Sequence, residues 1–164
     1  MTKLILIADD DENDALAIQE TLVKAGVKNL TTTVSDGTGV IAYFRGQGQY
    51  WDREKFPIPS VLMLDLKMPT FGGFAVMEWL NYQYESVRSN ILIVVLTGHG
   101  ELENVRRAYP LGARSFLTKP CVLEDVRNLV MGYPEYWTTE MAPEAPTMPS
   151  SGELRGSSVA GAAT

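Results

Sequence analysis

The sequence has one cysteine, one histidine, no block of basic residues and no apolar run longer than the six residues of Ile91–Leu96. Each scarcity excludes something. Cys121 has no partner for an internal disulfide, so nothing ties the chain to an oxidising compartment. His99 has no second ligand at metal-binding spacing, which leaves a solvated loop side chain as its plainer reading. Fourteen Lys and Arg against twenty Asp and Glu give a net charge of −6, without the basic footprint that nucleic acid requires. Only five apolar residues separate Lys3 from Asp9, too few for a leader or a membrane span, which takes about 20 residues. The expectation is a soluble, cytoplasmic protein that touches neither nucleic acid nor membrane. At 164 residues it has room for one domain with a sizeable core and a tail.

What the sequence does have is short apolar runs that stop at charged or polar residues. Val61–Leu64 ends at Asp65, and Leu4–Ala8 ends at Asp9, Asp10, Asp11 and Glu12. Ile91–Leu96 ends at Thr97, and Ser115–Leu117 leads to Thr118, Lys119 and Pro120. Continuous runs of this length suit strands buried on both faces. Leu30–Val34, rich in Thr and Val, supplies a fifth strand.

Helical spacing follows each strand. Ala15, Ile18, Leu22 and Ala25 share one face, with Asp14 as N-cap and Gly26 as the stop. Val40, Tyr43 and Phe44 mark a short second helix; Phe74, Met77, Leu80 and Tyr84 a third; Leu102, Val105 and Ala108 a fourth; Val122, Val126, Leu129 and Val130 a last. Residues 46–59 show no period and read as an exposed loop. From about Ala142 the chain offers too little apolar surface to fold, and that tail is expected to be dispensable.

Five strand–helix pairs predict a three-layer α/β/α sandwich on a parallel sheet. In such a sheet every strand ends on the same edge, where ligands collect. That edge would gather Asp9, Asp10, Asp65, Thr97 and Lys119. Clustered carboxylates repel unless a cation neutralises them, and hard oxygen donors suit Mg²⁺ or Mn²⁺. With a Thr hydroxyl and a Lys ammonium alongside, the rim can hold a tetrahedral anion, and Asp65 is placed to act as a nucleophile in phosphoryl transfer.

The segments LILIADD, VLMLDLKMP with Gly73 eight residues beyond the Asp, VVLTG and GARSFLTKP resemble, in order and spacing, the receiver domains of two-component response regulators. The resemblance runs from about Lys3 to Val130. It implies a flavodoxin-like (βα)5 fold with strand order 2-1-3-4-5, a receiver domain over residues 1–133 and a C-terminal extension over 134–164. It further implies that Asp65 accepts a phosphoryl group from the phosphohistidine of a sensor kinase or phosphotransfer protein. Asp9, Asp10, Asp65 and the backbone carbonyl of Lys67 would hold Mg²⁺ or Mn²⁺; Thr97 and Lys119 would contact the phosphoryl oxygens; Phe116 would be the aromatic switch. Self-dephosphorylation would be the only other chemistry. Lys67 and His99 stand at positions that in the family tune phosphoryl lifetime.

Two departures stand out: Gly72 replaces the usual Asp or Asn, and Phe116 lacks the hydroxyl of the usual Tyr. A switch that works by ring burial alone gains no hydrogen bond. Completing the shift then falls to a downstream protein or to a second copy of the chain in a homodimer. The Tyr50-Trp51-Asp52-Arg53 loop and Tyr136-Trp137 resemble stand-alone receivers that include phytochrome partners. The Lys119–Pro120 bond is expected to be cis, at a sharp turn that aims the ammonium at the rim. Rival readings are a receiver-shaped binding module that is never phosphorylated, and a Mg²⁺-dependent phosphatase of the haloacid dehalogenase type. The latter wants an acid where Lys67 stands.

Overall fold

Five parallel strands, β1 (Leu4–Ala8), β2 (Leu30–Val34), β3 (Val61–Asp65), β4 (Leu92–Thr97) and β5 (Ser115–Thr118), form one sheet in the order β2-β1-β3-β4-β5. The computed structural model describes residues 3–98 and 101–140. The expectations for His99 and for the tail from Ala142 fall outside the described residues.

The three central strands are buried along their whole length, which is why they read as unbroken apolar runs. Alternate side chains feed two cores. On one face Ile5, Ile7, Met63 and Val94 meet Ile18 and Leu22 of α1 (Glu12–Lys24) and Val126 and Leu129 of α6 (Leu123–Gly132). On the other, Leu6, Leu62, Leu64 and Val95 meet α2 (Gly37–Arg45), α3 (Gly73–Gln83) and α5 (Leu102–Ala108). β2, at the sheet edge, needs less apolar surface and is accordingly Thr-rich.

Several local expectations are corrected. The cap of α1 is Asp11, whose Oδ1 accepts the amides of Asn13 (2.8 Å) and Asp14 (3.1 Å). The Asp14 carboxylate is engaged elsewhere, so the helix begins earlier than its apolar stripe. Leu102 is 62% exposed at the start of α5 rather than on its core face, and Val122 is an exposed N-cap outside α6. A four-residue helix, α4 (Glu85–Arg88), follows α3 and left no periodic trace.

The 46–59 segment is not a loose loop. Tyr50 is buried and Phe56 packs with it against Tyr43, their rings 5.3 Å apart. The Arg53 guanidinium donates to the carbonyls of Phe44 (2.6 Å) and Phe56 (3.0 Å), closing the end of α2, where Gly46 adopts φ +66°. Isolated anchors of this kind carry no period, so pattern reading misses them.

Residues 134–140 also pack onto the domain. Trp137 is 4% exposed within the α1/α6 core. Its neighbours are held by main-chain groups: Lys28 N donates to Thr138 O (2.6 Å), Glu140 N to Gly26 O (2.9 Å), and Val27 and Thr139 form an antiparallel bridge. Ser60 Oγ and Asn29 Nδ2 both donate to Tyr136 O, at 2.9 and 3.2 Å. This strap closes the amino-terminal edge of the sheet.

Candidate functional site

Register brings the predicted residues together at the opposite edge. Ala8 lies beside Leu64, and Asp65 pairs with Leu96, so Asp9, Asp65 and Thr97 leave neighbouring strands at nearly the same level. All three are buried, at 3%, 6% and 3% exposure. Gly73 makes this packing tight: a Cβ there would lie 2.7 Å from the carbonyl oxygen of Asp65 and from Leu66 Cα. The joint between β3 and α3 therefore accepts no side chain.

Lys119 reaches the cluster from the end of β5, through a Lys119–Pro120 peptide that is cis. Its ammonium donates to Asp9 Oδ2 (2.9 Å), Asp14 Oδ2 (3.1 Å) and Asp65 Oδ2 (3.3 Å). Burial opposes its charge, yet the hydrogen bond to Asp9, the attraction of Asp65 and the hydrogen bond to Asp14 together raise its pKa, so it stays a cation. Asp14, read from sequence only as a helix cap, is thus a third carboxylate on this ammonium. Nothing in a local pattern could have placed it there, because its partner lies 105 residues away.

Asp65 keeps one oxygen on Lys119 and the other on the Lys67 amide at 3.0 Å. Burial holds its pKa above the ordinary 3.8; the Lys67 amide and Lys119 pull it back, and Asp9 pushes it up further. Asp9 Oδ1 accepts the Asp11 amide at 2.9 Å. Asp10 is exposed. Carboxylate oxygens of Asp9, Asp10 and Asp65 all lie within 4.8 Å of one another. Two buried donors and one open to solvent fit a hard divalent cation that retains water.

Thr97 does not face this ammonium. Its hydroxyl donates to Glu101 Oε1 (3.2 Å), which also accepts the Gly98 amide (3.1 Å), while Glu101 Oε2 is paired with the Lys67 ammonium. Glu101 went unnoticed in the sequence, where it merely precedes a helix. Phe116 is half-buried on β5 beside Val95 and packs on the α2/α3/α5 core. It shares a sheet face with Thr97 through the Thr97–Thr118 pair.

Cys121, just past the cis bond, has its thiol pushed up to about 11 by burial, with Asp125, Asp14 and Asp9 adding to the shift and Lys119 opposing it. A thiol at that value carries about a hundredfold less thiolate at neutral pH than an ordinary one. Alkylation of the native protein by iodoacetamide should therefore run about a hundredfold slower than in denaturant. Equal rates in both would show that the site is open and the thiol ordinary.

The chain resembles known proteins in sequence and in shape. Rcp1, a response regulator of Synechocystis sp., is 29% identical over 135 residues, covering 82% of this chain and 88% of Rcp1. The Mn²⁺-bound form of Rcp1 superposes with a TM-score of 0.63 at 28% identity, covering 90% of this chain and 99% of that one. The bacteriophytochrome response regulator RtBRR reaches a TM-score of 0.73 at 28% identity, covering 85% of this chain and 82% of its own. The phosphorylated cyanobacterial phytochrome response regulator RcpA gives 0.64 at 28%, covering 92% and 100%. A model of the response regulator receiver domain matches residues 5–131. With an acidic triad, a half-buried lysine and a strand-end threonine gathered on the carboxyl edge of a 2-1-3-4-5 sheet, the chain belongs to the response regulator receiver family.

Proposed function

We propose that Asp65 is the aspartate on which this receiver takes its phosphoryl group, supplied by the phosphohistidine of a sensor kinase or of a phosphotransfer protein. One observation carries the reading: Asp65, buried at the end of the central strand β3, meets the Lys119 ammonium at 3.3 Å and has a carboxylate oxygen within 4.8 Å of those of Asp9 and Asp10. In the transfer an Asp65 oxygen forms a bond to phosphorus as the bond from phosphorus to the donor nitrogen breaks, the electron pair leaving with the donor. The Lys67 amide orients the carboxylate for attack. Lys119 offers a positive charge to the arriving oxygens from a place at the rim that its carboxylate partners already hold it in.

Asp9, Asp10, Asp65 and the Lys67 carbonyl would hold Mg²⁺ or Mn²⁺. When bound, the cation neutralises the carboxylates and the charge of the incoming group. The Mn²⁺-bound form of Rcp1 supports this assignment. Slow hydrolysis of the acyl phosphate would reset the domain. Thr97 and Phe116 are proposed as the switch: once the Thr97 hydroxyl turns to a phosphoryl oxygen, Phe116 can bury further, which alters the face formed by α5, β5 and α6. A downstream protein or a second copy of the chain would read that face. Relatives that the chain spans almost end to end, such as Rcp1 and RcpA, favour signalling through protein contact or onward relay.

Incubation with a small acyl phosphate and Mg²⁺, followed by intact mass, tests the reading. One added phosphate is expected, none in excess chelator. Full labelling in chelator would refute the metal assignment, and continuous release of inorganic phosphate at a rate of many turnovers would favour the phosphatase. No labelling at all would favour the binding module.

A further inference from the structure

Three donors from two strand ends converge on the Glu101 carboxylate. Thr97 is buried, yet its hydroxyl is spent on Glu101 Oε1 at 3.2 Å, and the adjacent Gly98 amide joins it at 3.1 Å. Lys67, two residues beyond Asp65, gives its ammonium to Glu101 Oε2. A hydroxyl, a backbone amide and an ammonium aimed at one point form an anion-binding constellation, and here the anion is the protein's own side chain. Asp65 is close to it. Asp65 pairs with Leu96 across the β3–β4 ladder, so Thr97 stands one residue beyond Asp65 on the adjoining strand, about 5 Å away laterally.

These donors stand on the strand beside Asp65 and on the loop that leaves it, where a phosphoryl group could recruit them. Lys119 itself is shared among three carboxylates. A phosphoryl group on Asp65 brings acceptor oxygens of higher charge than a carboxylate, and it can take the single protons of the Thr97 hydroxyl and the Gly98 amide only if Glu101 gives them up, while the Lys67 ammonium can turn toward it. We propose that Glu101 is a resting-state latch, an internal carboxylate that occupies the Thr97, Gly98 and Lys67 donors until phosphorylation of Asp65 displaces it. This inference rests on Asp65 being the phosphoacceptor. Glu101 is then a positioning residue, acting through Thr97 and Lys67 rather than touching the reacting atoms.

The latch has a direction. Whatever holds the donors on Glu101 in the resting chain opposes the phosphorylated state, so removing the carboxylate favours that state. Because Glu101 immediately precedes α5, its release also frees the start of that helix and the exposed Leu102. The site is thereby joined to α5 without passing through Phe116.

The test compares labelling rates with a small acyl phosphate and Mg²⁺ in the wild type, Glu101→Ala, Glu101→Gln and, as a control on the same helix, Glu103→Ala. Among the described residues Glu103 forms an ion pair with Arg106, at 3.8 Å on the surface. Glu101→Ala should label about fivefold faster than wild type, the order expected when one solvent-screened hydrogen bond need no longer be surrendered. Glu101→Gln keeps the acceptors for Thr97 and Gly98 but loses the ionic hold on Lys67, and it should fall between the two. Glu103→Ala should match the wild type. In the unphosphorylated Ala variant the Gly98 amide proton should shift upfield, a change that mere loosening of α5 would not produce.

Wild type labelled on Asp65 with all variants at its rate would overturn the latch and leave the phosphoacceptor reading intact. So would slower labelling in Glu101→Ala, or faster labelling with an unmoved Gly98 amide. A wild type that takes up no phosphate would overturn the reading of Asp65 and the latch with it.

Discussion

Asp65→Asn is expected to take up no phosphate and, in chelator at neutral pH, to melt a few degrees above the wild type. The first effect follows from removing the nucleophile. The second follows from the sign of the pKa shift. A carboxyl whose folded pKa lies above 3.8 binds its proton more tightly in the native state than in the unfolded one. Between the two values stability falls as pH rises, and above both the full penalty is in place. Asn removes the penalty while retaining an oxygen for the Lys67 amide, and Lys119 keeps Asp9 and Asp14. In a domain of this size each kcal/mol of that penalty removed is worth a few degrees of melting temperature. Mg²⁺ should narrow the gap, because the cation stabilises the wild type by binding its native state. Thermal melts of both proteins between about pH 4 and pH 7.5 check the slope. A mutant that melts lower than the wild type throughout would mean that the Lys119–Asp65 contact outweighs the cost of burying the charge.

The largest loss of stability is expected far from the chemistry, at Trp137. Its ring is buried with Ile5, Val27 and Leu129, and truncating a buried Trp costs about 3–5 kcal/mol. Trp137→Ala should lower the melting temperature by about 10 °C or more. Its indole Nε1 has no hydrogen-bond partner, so Trp137→Phe loses no bond and should cost far less than the Ala variant. Differential scanning calorimetry of the pair decides the matter. If Trp137→Ala melts within a degree or two of the wild type, the strap contributes nothing to the fold.

What the sequence revealed and what it concealed divide along physical lines. Strand ends were readable because a fully buried parallel strand must be apolar to its last residue, so Asp9, Asp65 and Thr97 announced themselves by interrupting such runs. Lys119 was readable through its motif. Asp14 and Glu101 were not, because each gains its role from a partner on another strand, Asp14 on Lys119 and Glu101 on Thr97 and Lys67. A one-dimensional pattern assigns both to helix starts, where acids are common for local reasons. The anchoring roles of Tyr50, Arg53 and Trp137, residues visible only through the resemblance, escaped for a different reason. They are single anchors in segments without period, and burial there is decided by tertiary contact alone. The packing of residues 134–140 was hidden in the same way, since Pro134 ends the helical pattern but not the contacts.

The strap sets an exit direction. Lys3, Gly26–Asn29 and Ser60 all precede or join the beginnings of strands, so the chain passes Glu140 at the pole of the molecule opposite Asp65. A five-residue strand and the loops beyond it put about 16 Å or more between the two poles. A fluorophore carried on the Glu140 side chain therefore stands clear of the rim that holds Asp65. An attachment before Tyr136 would instead pry the strap from the sheet, and a sensor built that way would report melting rather than signalling.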